Sequence, residues 1–108
     1  MNKKESNIDK ILAIVVDECT MTEDLIIKSE EVRGKCKKEN VCMTRAIFVT
    51  EMVFAGYSVT TIATYLHKTE QAVSDILNAA HQYRISSWAY RVAEAESTLK
   101  CKELMATL

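Results

Sequence analysis

GYSVTTIATYLHKTEQAVSDILNAAHQY, from Gly56 to Tyr83, decides the fold, because it reads as two helices joined by a turn too tight to hold a loop. Ser58 is placed to cap a helix that carries Ile62, Ala63 and Leu66 on one face. Thr69 is placed to cap a second that carries Val73, Ile76, Leu77 and Ala80. The two caps stand 11 residues apart, which leaves His67 and Lys68 as the turn. The small Ala63 lets the second helix cross close over the first, and Val73 and Ile76 fill the angle between them. This is the helix-turn-helix pattern, spanning residues 58–83.

Upstream, apolar residues at Val41, Phe48, Met52 and Ala55, widened by Ile47, Val49 and Phe54, predict a helix beginning near Glu39 or Asn40. So wide an apolar face belongs to a central, mostly enclosed helix. Gly56 stands where its C-terminal cap is expected, with Tyr57 packing back on the helix end. Nearer the N-terminus, Ile8, Ile11, Leu12, Val15 and Cys19 recur at spacings of three and four and mark a first helix over about residues 7–19. The charged residues 1–6 before it are expected to fray. Thr22, Glu23 and Asp24 predict the start of a short second helix through Leu25, Ile26 and Lys28, and residues 29–38 are expected to form a loop with Gly34 at its turn.

Downstream, Ser86 or Ser87 is placed to cap a last helix over residues 86–105, with Trp88, Val92, Ala95 and Leu99 facing inward. That helix either closes the core or offers Trp88, Leu104, Met105 and Leu108 to a second copy or a protein partner, with core closure the first expectation. With 108 residues, no proline and only two glycines, the chain is expected to form one all-α domain, a compact five- to six-helix bundle over residues 1–108.

Composition narrows the function classes. Fourteen Lys and Arg against 15 Asp and Glu give a net charge of −1, which argues against a uniformly basic nucleic-acid coat. The charge is unevenly distributed, however: Arg33, Lys35, Lys37, Lys38 and Arg45 are opposed by Glu39 alone between residues 33 and 45. Such a basic knot can dock phosphates, although basic loops are also common as plain solvated surface. No apolar run approaches a membrane span, and no secretory leader pattern follows the charged start, so a cytoplasmic location is expected. Cys19, Cys36, Cys42 and Cys101 lie at irregular spacings without companion histidines, which points to free thiols and no metal site. His67 and His81 have no cysteine beside them and no carboxylate pair lies in an apolar setting, so neither an enzyme nor a cofactor is expected.

Three stretches together resemble the C-terminal, DNA-binding domain of the bacterial chromosomal replication initiator DnaA, of the Trp repressor-like group. ILAIVVDECTMTEDLIIKS (11–29) resembles the opening helix and the entry to a short helix. RGKCKKENV followed by TR (33–45) resembles the family's basic loop and the arginine that opens its central helix. SVTTIATYLHKTEQAV (58–73) resembles its signature run, with Ile62 at the isoleucine, Ala63 at the glycine, Lys68 at the signature arginine and Val73 at the closing valine. Thr69, Glu70, Gln71 and Ala72 depart from the aspartate, histidine, serine and threonine that make the family's base and phosphate contacts, and His67 replaces a glycine. The resemblance therefore implies a stand-alone binder of double-stranded DNA, a small transcriptional or replication-associated regulator that does not read the initiator's target. No phosphate-binding loop is present, so the initiator's ATPase is not expected.

On that reading, the helix at Thr69 enters the major groove and turns Glu70, Gln71 and Ser74 to base edges. Lys68 and the hydroxyls of Ser58 and Thr69 hold phosphates, while Lys35, Lys37, Lys38 and Arg45 clamp the strand beside the groove. Against it, Glu70 and Asp75 bring negative charge to a face meant for a polyanion. The rival expectation is a protein–protein adaptor that keeps the fold without binding DNA. A homodimer is compatible with either.

Overall fold

Proline is absent and glycine occurs only at 34 and 56, so the helical backbone ladder is broken chiefly by caps and by those two residues. The computed structural model describes residues 3–23 and 27–106, with side chains at 7–20 and 27–106. Among these residues there are six helices and no strand: α1 (Lys3–Glu23), α2 (Ser29–Arg33), α3 (Glu39–Phe54), α4 (Val59–Leu66), α5 (Glu70–Ser86) and α6 (Trp88–Ala106).

The wide apolar face of α3 finds its explanation here, because α3 packs against every one of the other five helices. Val41, Ala46, Ile47, Phe48, Val49 and Met52 are all buried, and they meet Ile11, Leu12 and Val15 of α1 and Ile62, Leu66 and Val73 of α4 and α5 in one core. Phe54, expected on the same face, is instead exposed in the last turn, as is Val53; enclosing the rest of the helix also encloses its polar residues. Thr44 and Thr50 resolve this by donating their hydroxyls one turn back, to the carbonyls of Asn40 at 2.7 Å and Ala46 at 2.8 Å. The helix ends as its sequence predicts. Gly56 takes φ +93°, a left-handed conformation that a side chain would strain, and the N–H of Tyr57 reaches back to the Met52 carbonyl at 3.1 Å.

Three expected boundaries shift. The first helix runs from Lys3 to Glu23, so the residues from Lys3 to Ser6 expected to fray are helical, and Thr22 lies within α1 instead of starting a new element. Asp24, Leu25 and Ile26, expected on a second helix, lie outside the described residues. That second helix is instead Ser29–Arg33, inside the expected loop. Five residues bury only Val32 and show no period, yet Glu30 and Glu31 in the first turn and Arg33 in the last complement the helix dipole. The Glu31 carboxylate also accepts the Lys28 N–H at 3.1 Å, half of a capping box.

The last correction concerns which side of α6 faces in. Trp88, Ala95 and Leu99 are exposed and Val92 is half-buried; the buried residues are Tyr90, Ala93, Ser97 and Cys101. The helix carries two apolar stripes, and polar pairs choose between them. Arg84 on α5 holds Glu94 at 2.6 Å, Thr98 donates to Glu51 of α3, and Lys100 pairs with Glu18 of α1. With those three partners engaged, the small Ala93 and Ser97 lie against the bundle and Tyr90 stacks near Tyr83, ring centroids 5.4 Å apart.

Candidate nucleic-acid interface

Local sequence shapes the α4–α5 corner as expected. Ser58 Oγ accepts the Thr61 N–H at 3.2 Å and Thr69 Oγ1 accepts the Ala72 N–H at 3.1 Å, so each hydroxyl caps its helix. Between the helices, His67 adopts the left-handed conformation at φ 55°, and the Lys68 N–H returns to the Ala63 carbonyl at 2.9 Å. Val73 and Ala80 are buried and Ile76 and Leu77 half-buried, which leaves Glu70, Gln71, Ser74, Asp75 and Asn78 exposed along one side of α5. Three of these already have partners on the surface: Thr60 donates to Glu70 at 2.9 Å, drawing it toward α4, and the Gln71 amide donates to Asp75 at 3.0 Å.

Contacts remote in sequence bring the basic segment to this corner. Lys68 Nζ donates to the Gly34 carbonyl at 3.0 Å, across 34 residues. Arg33 stacks over the Tyr65 ring at 4.0 Å and donates through Nε and Nη2 to the Tyr65 carbonyl at 3.3 and 3.1 Å, tying α2 to the last turn of α4. Tyr65 in turn donates its hydroxyl to Asp9 of α1 at 2.6 Å. Lys35, Lys37 and Lys38 are exposed on the loop that leaves Gly34 and leads into α3. Burial holds the Lys68 ammonium below its usual range, and the nearby Arg45 and Lys35 charges add to the effect.

Arg45 is elsewhere. It is 6% exposed, and its guanidinium points inward to the carbonyls where α2 ends: Nε to Val32 at 2.7 Å, and Nη2 to Glu31 at 2.9 Å and to Gly34 and Cys36 at 3.1 Å. The arginine expected to clamp phosphate instead satisfies the orphan carbonyls of a short helix and its exit loop, a demand that periodicity could not announce because the five-residue helix was itself invisible. Gly34 belongs to the same device, since a Cβ there would stand 3.0 Å from the Glu30 carbonyl. Arg33, Tyr65 and Asp9 were also outside the expected site. The charge of Arg33 was a signal in the sequence; a bond between residues 9 and 65 had none.

Elsewhere on the molecule, the described residues hold no group of three or more His, Cys, Asp or Glu placed to bind a metal. No helix among them is long and apolar enough to cross a membrane.

The chain belongs to the DUF2192 family, described as an uncharacterized protein conserved in archaea, whose model matches residues 1–107. That archaeal distribution differs from the bacterial setting that the likeness to the replication initiator implied. No curated protein and no solved structure matches the chain.

Proposed function

We propose that this protein binds double-stranded DNA through the corner formed by the 34–38 loop and the start of α5, which acts as a helix-turn-helix. The observation that carries the reading is the Lys68–Gly34 bond, because it joins the basic loop to the base of a helix whose outer face is exposed and polar. Lys35, Lys37, Lys38 and Lys68 supply phosphate contacts, helped by the capped N-termini at Ser58 and Thr69. Gln71 and Ser74 face the base edges; Glu70, held toward α4 by Thr60, reads less directly. The likeness of residues 58–73 to the DnaA signature, within the Trp repressor-like group, supports the same placement, and the family's contact residues being replaced here implies a different target. Without arginine on the outer face of α5, the commonest guanine contact is missing, so most of the affinity is electrostatic.

Fluorescence anisotropy with a random duplex tests this at a series of salt concentrations. Four lysines on phosphates give a slope of log K against log salt of about −3 to −4. Lys37→Ala with Lys38→Ala should weaken binding to every sequence and flatten the slope by about 2, whereas Gln71→Ala should change preference between sequences and leave the slope alone. Absence of binding even at low salt would remove the proposal. It would favour the adaptor reading, in which α5 docks a protein, for which Glu70 and Asp75 on the exposed face are the supporting observation.

A further inference from the structure

The stripe that α6 leaves outside is apolar. Trp88 is 72% exposed and Leu99 54% exposed, with Ala95 exposed and Val92 half-buried between them. Their spacings of four, three and four residues are those of a two-stranded seam, Trp88 and Ala95 at one core position of the heptad and Val92 and Leu99 at the other. Lys102 takes the next position and ends the apolar part. The buried face of the same helix, through Tyr90 and Ser97, lies on the opposite side, so Trp88, Ala95 and Leu99 are open, and Val92 in part, while α6 stays packed in its own bundle.

The charges that flank the seam choose its occupant. By helical phase, exposed Glu96 and Glu103 lie along one edge and exposed Arg91 along the other. A second copy of α6 laid parallel across a two-fold axis brings the basic edge of each helix against the acidic edge of its partner, with Arg91 five residues ahead of the Glu96 it meets, the interhelical spacing of parallel pairs. An antiparallel copy instead sets glutamate edge against glutamate edge. We infer that the protein forms a symmetric homodimer through parallel packing of α6, sealed by Trp88, Val92, Ala95 and Leu99 and oriented by reciprocal Arg91–Glu96 pairs. This inference is independent of DNA binding, and the two succeed or fail on different measurements.

Sedimentation velocity of the full chain over a range of concentrations tests it. The wild type should sediment as a dimer and Leu99→Glu, a substitution at an exposed position, as a monomer of unchanged helicity. Arg91→Glu or Glu96→Arg alone should weaken dimerisation about fivefold, and the double reversal should restore it. Because Arg91 also donates through Nη1 to the Arg84 carbonyl at 2.6 Å, the Glu96→Arg variant and the double reversal carry the electrostatic argument. Orientation is read from Lys102→Cys, which should form a symmetric disulfide dimer under mild oxidation that the wild type does not form. A monomer at every concentration, or a dimer that survives Leu99→Glu, would overturn the inference; a dimer in which Lys102→Cys does not cross-link would overturn its parallel arrangement.

Discussion

At the scale of single residues, Arg45 and Glu51 show opposite outcomes of putting charge inside a central helix. Arg45 is matched by the carbonyls of Glu31, Val32, Gly34 and Cys36, so Arg45→Met, which keeps the stem and removes the donors, should lower stability by about 3 kcal/mol in urea unfolding. Arg45→Lys should recover only part of this, because one ammonium cannot reach carbonyls spread over six residues. Among the described residues no cation is bonded to Glu51, although Lys102 and Arg84 act on it from farther away. Burial raises its carboxyl above the ordinary 4.5, only partly opposed by the bond from Thr98. The folded state therefore favours the protonated form. The stability linked to it is complete below the ordinary carboxyl range and is lost as pH rises through the raised value. Glu51→Gln should accordingly match the wild type in acid, exceed it at neutral pH, and flatten the decline between, as followed by thermal melts across pH.

Among the elements, the α4–α5 turn carries both backbone strain and the proposed contact with DNA. His67 occupies a left-handed conformation that costs an ordinary residue about 1 kcal/mol, so His67→Gly should raise stability by up to about that amount. Thr69→Ala removes the cap on the Ala72 N–H and should cost about 1 kcal/mol. Thr69→Asp separates stability from recognition. Aspartate caps as well as threonine and suits the helix dipole, so chemical denaturation should find no loss, while its negative charge at the proposed phosphate contact should weaken duplex binding in the anisotropy titration.

For the whole molecule, the six helices pack to a radius of gyration of 12.6 Å, close to the ~13 Å expected of a folded chain this long, yet a tryptophan and a leucine remain outside. If those residues join two copies, folding and association are linked, and the melting temperature should rise with protein concentration in the wild type and not in Leu99→Glu. The same variant should keep the salt slope of duplex binding, because that slope depends on the lysines of each protomer and the α6 seam is a separate surface.

Local chemistry was legible in the chain by itself: the caps at Ser58 and Thr69, the Gly56 stop, the His67–Lys68 turn and the enclosure of α3 all follow from residues within one or two helical turns of each other. The five-residue α2 and the inward turn of Arg45 were not, because a helix that short has no period and its carbonyl acceptors lie 9 to 14 residues from the arginine. Nor was the face of α6. Its two apolar stripes are equivalent to any periodicity argument, and only bonds to Arg84, Glu51 and Glu18, on three other helices, decide which stripe enters the core and which is left exposed.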